Sequence, residues 1–271
     1  MSTVRQPAVA GAFYPGDAET LALEVASLLQ EAEQSAAVDA PLPKAVIVPH
    51  AGYVYSGPVA ASAYARLKAA RGRVRRVVLL GPCHRVAVRG LALPDVAEFA
   101  TPLGRVAVDR DAAVALQDLR QVTVSAQAHA FEHSLEVQLP FLQAVLGEFA
   151  LLPLAVGDAT ADEVAQVVER LWGGDETLIV ISSDLSHYLP YDVAKRVDAV
   201  TARAIMAMQH TIDHSQACGA TPVDGFLVAA KRRGLTPELL DLRNSGDTAG
   251  DRARVVGYAA FAFSERGEHV H

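Results

Sequence analysis

The sequence predicts a single α/β domain with a central, mostly parallel or mixed sheet flanked by helices. Three observations carry this. Short apolar runs at 45–48, 77–80 and 178–181 have strand length and no polar alternation, so they read as strands buried on both faces. Helical patterns separate these runs, as βαβ connections require. No repeat of fixed period and no low-complexity boundary divides the 271 residues, a length that α/β folds commonly occupy as one unit. The domain is therefore drawn over residues 1–271, with the polar stretch 264–271 expected to be a flexible tail.

Taken in order, residues 6–17 are rich in turn formers and too broken for a regular element. Phe13 and Tyr14 within them either pack a domain edge or lean over a site. Asp17 is placed to cap a helix running to about Gln34, with Leu21, Leu23, Val25, Leu28 and Leu29 as its apolar face. A linker over 35–43 precedes the first buried strand. A helix is expected over 58–67 with Pro58 near its first turn. The basic run 71–76 reads as a solvated turn. Residues 86–93 alternate imperfectly and are a candidate strand, 99–104 a turn-rich connection, and 105–108 a short strand. Asp109 should cap a short helix to about Leu119, and the β-branched 122–124 should be extended.

The stretch 132–142 is expected to open a helix with His133, Glu136 and Val137 on one side and Pro140 placed to kink it. Residues 150–156 are strand-like. Thr160-Ala161-Asp162-Glu163 has capping-box spacing ahead of a helix to about Trp172. A long helix from Tyr191 to about Met208 carries Val193, Val197, Val200, Ala204, Ile205 and Met208, a stripe assigned to the core. Cys218-Gly219-Ala220-Thr221-Pro222 reads as a turn into a helix over 223–232, closed by Gly234. Residues 239–243 and 254–263 complete the strands.

Composition narrows the function. Hydrophobic residues make up 51% of the chain, enough for a substantial core, and the net charge is −7 with both signs interspersed. No basic stripe supports nucleic-acid binding. No apolar run approaches the roughly 18–20 residues that span a bilayer, and residues 1–7 lack the apolar core of a signal peptide, so a cytoplasmic protein is expected. Two cysteines, Cys83 and Cys218, are too few for a disulfide scaffold. Each is either a small buried hydrophobe or a thiolate with a task.

The chemistry concentrates where buried strands end. The run 45–48 leads into Pro49-His50, 77–80 into Gly81-Pro82-Cys83-His84, and 178–181 into Ser182-Ser183-Asp184-Leu185-Ser186-His187. Carboxyl ends of strands in open α/β sheets form the ligand crevice. Two or three imidazoles plus one anionic side chain make a mononuclear metal site with open positions. The anionic member comes from Asp184, Cys218 or Cys83; Cys218 stands in a turn that can present it. A lone histidine at a strand end is more often a hydrogen-bonded loop residue. The shared position of three is what raises them above that reading. His129, His210 and His214 lack this context and read as surface or helix-edge residues, and His269 and His271 belong to the tail.

Several of these stretches together resemble one family. Pro49-His50-Ala51-Gly52-Tyr53 with Tyr55-Ser56-Gly57, Gly81-Pro82-Cys83-His84, the run from Glu132 to Pro140, Ser182-Ser183-Asp184-Leu185-Ser186-His187-Tyr188 and Cys218-Gly219 look like the Memo family, whose bacterial and archaeal members are called AmmeMemoRadiSam system protein B. The opening Pro7-Ala8-Val9-Ala10-Gly11-Ala12-Phe13-Tyr14-Pro15 is similar to that family's start. The resemblance implies the fold of the class III extradiol (LigB-type) dioxygenases, which open catechol rings with Fe(II) and O2. Carried over motif by motif, it implies His50, His84 and Cys218 as metal ligands, with Cys218 standing where the dioxygenases have a carboxylate. It implies His187 as the acid/base residue with Asp184 beside it, and Phe13, Tyr55 and His133 as pocket walls.

The cysteine makes the donor set softer. Fe(II) is the expected ion, with Cu or Zn as alternatives. The expected activities are a metal-dependent, oxygenase-like oxidoreductase acting on a small-molecule substrate, or a non-catalytic protein binding a metal, peptide or anion as accessory to radical SAM and AMMECR-like partners. Zinc hydrolysis with Asp184 as base is a third and weaker reading.

Overall fold

A computed structural model describes residues 4–34 and 40–265. The expected linker at 35–43 falls largely outside the described residues, as does the tail beyond Glu265; Ser264 ends a strand.

In chain order the elements are β1 (Val4–Arg5), α1 (Ala18–Glu33), β2 (Ala45–Val48), α2 (Tyr53–Ala65), β3 (Arg76–Pro82), β4 (Leu91–Leu93), β5 (Glu98–Thr101), β6 (Gly104–Val108), α3 (Arg110–Val114), β7 (Val122–Val124) and α4 (Ala126–Ala130). There follow α5 (Leu139–Leu146), β8 (Ala150–Val156), α6 (Ala161–Arg170), β9 (Thr177–Ser182), β10 (His187–Leu189), α7 (Tyr191–Met206), α8 (Ala220–Arg232), β11 (Thr236–Asn244), α9 (Ser245–Thr248) and β12 (Val255–Ser264).

The sheet is mixed. Its main path runs β1-β5-β6-β8-β3-β9-β2-β12-β10. The stretch β6-β8-β3-β9-β2 is parallel, whereas β12 lies antiparallel to β2, β10 and β11. Side chains alternate across the pleat. Val46, Val48, Val77, Leu79, Leu178 and Val180 therefore face one core with α1, α2 and α5. Ala45, Ile47, Val78, Leu80, Ile179 and Ile181 face the other with α6, α7 and α8. A sheet covered on both faces explains why these strands carry no polar alternation. Among the described residues no helix is long and apolar enough to cross a membrane.

Local chemistry set several boundaries as expected. Asp17 accepts the Thr20 N–H at 2.9 Å to cap α1. Thr160 and Glu163 form the capping box of α6. Gly234 takes φ +72° just beyond α8.

Elsewhere tertiary packing won. The helix expected over 58–67 begins at Tyr53 and runs through Pro58, because its buried residues on both sides of Pro58 outweigh one lost hydrogen bond. The stretch 132–135 is not helical; Glu132 draws its neighbouring N–H groups onto its own carboxylate, and α5 starts at Leu139 with Pro140 in its first turn rather than at a kink. The 99–104 connection is mostly hairpin, β5 paired with β6. Only Leu91–Leu93 of the 86–93 candidate is strand, and the helix after Asp109 stops at Val114. Leu23 on α1 is exposed, and α8 begins at Ala220 rather than Val223.

The core face of α7 is Ala194, Asp198, Thr201, Ala202 and Ile205. Of the predicted stripe, Ile205 and Met208 are buried while Val200 is exposed. The helix is rotated so that Asp198 can accept the Ser186 N–H at 3.0 Å. Gly257 lets that carboxylate approach, since a Cβ there would lie 2.1 Å from Asp198 Oδ2.

Candidate metal centre

In the order β3-β9-β2 three neighbouring parallel strands end on the same edge. Pro82, Ser182 and Val48 are their last residues, so His84, Asp184 and His50 each follow two residues later. The spacing seen in the sequence thus becomes proximity in space. His133 joins them from the turn ahead of α5.

His50, His84 and His133 offer ligand nitrogens that all lie within 4.8 Å of one another. Their ring centroids are 5.3 Å (His50–His84), 5.5 Å (His50–His133) and 4.8 Å (His84–His133) apart. Phe13 packs edge-on against His133 at 5.0 Å.

Hydrogen bonding sets the tautomers of the first two rings. Tyr64 donates its hydroxyl to Gln138 Oε1 at 2.8 Å, which turns the Gln138 amide nitrogen toward Pro49 O and Ser182 Oγ. Ser182 spends its one proton on Ser134 O at 2.6 Å. The 2.8 Å contact between Ser182 Oγ and His50 Nδ1 must then be donated by His50, leaving the lone pair on Nε2. His84 Nδ1 meets Glu132 Oε1 at 2.9 Å. A carboxylate accepts, so here too Nε2 keeps its lone pair. Imidazoles held through one nitrogen by a hydrogen-bond acceptor are the usual form of metal-ligating histidine.

The electrostatics agree. Burial, and then the charge His84 would carry, press His50 down to about 3. Burial, and then His50, press His133 down to about 4. Both rings are neutral at pH 7, so each keeps a lone pair with which it could bind a cation. Burial works against the Glu132 carboxylate, but the His84 hydrogen bond and charge, with the His84 and Ser134 N–H groups, outweigh it and hold Glu132 at about 2. Glu132 is thus a fixed negative charge beneath the rings.

Cys218 Sγ lies 3.4 Å from His50 Nε2 and takes the Asp184 N–H at 3.3 Å. Burial, and then the Asp184 carboxylate, push the Cys218 thiol up to about 12, so without a cation beside it this side chain is a neutral thiol. The tight three-nitrogen group contains His133 where the sequence reading had placed Cys218. Cys218 stands against His50, at the edge of that group. Asp184 accepts the His50 N–H at 2.7 Å and is raised by burial. His187 Nδ1 is 2.8 Å from Leu185 O; a carbonyl accepts, so His187 Nε2 carries the free lone pair of the neutral ring.

Two cavities meet this centre. One of about 490 Å³ is lined by Phe13, Tyr55, His133, Asp184 and His187. Another of about 860 Å³ is lined by Cys83, His84, His214 and Cys218. Cys83 Sγ is 3.2 Å from Val86 O. His210 and His214 are exposed, as expected. His129 is not: it is 3% exposed.

Sequence reading missed Glu132, Ser182 and Gln138 as supports of the centre. The signal in hand was an acid directly before His133 and polar residues at the end of an apolar strand.

An α/β domain whose mixed sheet delivers clustered imidazoles to its strand ends defines an α/β protein, of the fold class expected from the sequence, with a candidate metal centre. The chain belongs to the Memo family: a family model described as Memo-like protein matches residues 5–262. MEMO1 family proteins of Methanopyrus kandleri and Aquifex aeolicus are 38% and 37% identical, each over 96% of this chain and over 98% and 99% of their own lengths. That of Sulfolobus acidocaldarius is 34% identical over 97% of this chain and 100% of its own. The crystal structure of an uncharacterized protein from Escherichia coli K12 matches with a TM-score of 0.52 at 13% identity, covering 80% of this chain and 99% of that one, a likeness of fold alone.

Proposed function

We propose that this protein holds one divalent transition metal at the strand-end histidines and acts as a cytoplasmic, O2-using oxidoreductase on a small phenolic or enolic molecule. The observation that carries the reading is the pair His50 and His84, each with Nδ1 held by an acceptor so that the lone pair stays on Nε2. His50 and His84 are the first two ligands, and His133 or Cys218 completes the set. Fe(II) is the expected ion, with Cu or Zn favoured if the Cys218 thiolate binds. Bound Fe(II) would supply open positions for substrate and O2 and a path for electrons from the substrate, which is oxidised, to O2, which is reduced.

The chain's own residues do the rest. His187 Nε2 takes the proton of the substrate hydroxyl as a general base. Phe13 and Tyr55 wall the substrate cavity. Asp184 fixes the backbone of His50.

A second reading is favoured by Cys218 itself, which replaces a carboxylate. The centre would then be a binding site in an accessory protein serving radical SAM and AMMECR-like partners.

Anaerobic purification followed by elemental analysis of wild type, His50→Ala and Cys218→Ser tests the centre. Near-stoichiometric iron in wild type, lost in His50→Ala, is expected; equal metal in wild type and His50→Ala removes the proposal. O2 uptake by the Fe(II) form with a panel of catechols and enols then separates the two readings. Turnover abolished by His187→Ala supports the oxidoreductase, and no uptake with any compound supports the accessory.

A further inference from the structure

The cavity that holds His133 and His187 ends in an arginine with nothing to hold. Arg254 lines that cavity together with Tyr188, Phe13 and Tyr55. Its guanidinium lies over the Tyr188 ring at 5.0 Å. Among the described residues it has no ion-pair or hydrogen-bond partner. Asp251, on the same wall, accepts the Ala253 N–H at 2.8 Å, and Asp184 accepts the His50 N–H. Neither carboxylate pairs with the guanidinium, whose fork stays open to a ligand.

The shelf beneath it is built at a backbone cost. Tyr188 has φ +58°, a region that bulky residues avoid. The cause is the β10–β12 pairing: His187 pairs with Val256 and Leu189 with Val255, with a register shift between them. Tyr188 is the residue left over. A bulge of this kind re-aims a side chain and recurs beside active sites, and here it leaves the ring 61% exposed. Arg254 directly precedes Val255, so one strand pair sets both the tyrosine and the arginine it carries. Strain kept in a residue that adds no core packing calls for a task.

We infer that Arg254, steadied on Tyr188, is the seat for the carboxylate of a small organic acid whose other end faces His133 and His187. A guanidinium matches a planar carboxylate through two parallel N–H bonds. One unspent positive charge suits a monoanion better than a phosphate dianion. The cavity of about 490 Å³ is of small-ligand size, and Phe13, Tyr55 and Tyr258 give it apolar walls. The inference rests on the proposal that the histidine centre acts on a ligand in this cavity, and it names the class of that ligand.

Calorimetric titration of the full chain as purified, with benzoate, its neutral isostere benzamide, and phenyl phosphate, tests it without turnover. Benzoate should bind at least about tenfold tighter than benzamide, equivalent to about 1.4 kcal/mol, and tighter than phenyl phosphate. Arg254→Gln should bring the benzoate to benzamide ratio to about one. Arg252→Gln should leave it unchanged, because Arg252 stacks on Tyr191 at 4.4 Å and does not line the cavity. Equal binding of benzoate and benzamide, binding of neither, a preference that survives Arg254→Gln or falls equally in Arg252→Gln, or tighter phenyl phosphate each overturn the seat. Metal content measured on the same samples keeps the two proposals apart: a metal-loaded protein without the preference loses the seat alone, and a metal-free one with it loses the metal reading alone.

Discussion

His129 donates its Nε2–H to Ala92 O at 2.8 Å and keeps Nδ1 buried with no partner. Nothing in its sequence surroundings distinguished it from a helix-edge histidine, because its burial comes from distant segments. Burial presses it from 6.5 to about 4. The unfolded chain therefore takes up this proton first as pH falls. The stability due to the neutral buried ring is present above pH 6.5 and is lost as pH falls toward 4. Urea unfolding at pH 7 and pH 5 should show wild type losing about 2 kcal/mol more than His129→Leu; parallel losses would mean that the ring titrates normally. The candidate ligands were legible for the opposite reason. His50, His84 and His187 follow apolar strands directly, so their positions are local facts. Glu132 supports His84, and Gln138 and Ser182 support His50, through contacts across 44 to 132 residues of chain, which no local pattern carries.

At the scale of elements, the irregular segment from Gln6 to Asp17 acts as a strap over the centre. Glu136, fully buried, accepts from Arg5 Nη1 at 2.6 Å, Ala8 N at 2.7 Å, Val9 N at 3.0 Å and the Tyr14 hydroxyl at 2.6 Å. Arg5 also donates to His129 O and Glu132 O, both at 2.6 Å. This clamp is what sets Phe13 on His133, and the Tyr53 N–H reaches Phe13 O at 2.7 Å. Removing one partner of a buried ion pair strands the other, at about 3–5 kcal/mol. Arg5→Ala should lower unfolding stability by about that amount and speed amide exchange across residues 8–13. Unchanged exchange there would show that the strap holds without the clamp. The segment's irregularity was readable from its turn formers. The helix start at Tyr53 and the non-helical 132–135 were not, since both answer to the strap and to Glu132.

For the whole molecule, a cation bound by folded strand ends and not by the unfolded chain adds stability by mass action. At a hundredfold excess over Kd this is about 2.7 kcal/mol, or a rise of roughly 5–10 °C in Tm for a chain of this size. Thermal unfolding under anaerobic Fe(II), or with Zn(II), should show the rise in wild type and not in His50→Ala. Equal shifts in both would place the cation elsewhere.

The fold class and three of the histidines were legible in the chain because apolar strand runs, caps and strand-end residues are local chemistry. The order of the strands, the gathering of His133 with His50 and His84, and the Arg254–Tyr188 seat were not. They depend on the antiparallel β12, the β10 bulge and the buried acids Glu132 and Glu136, each a contact between segments far apart in sequence. Such contacts take their energy from packing and desolvation in the assembled core, where they can override local preference, as at Pro58 and Tyr188.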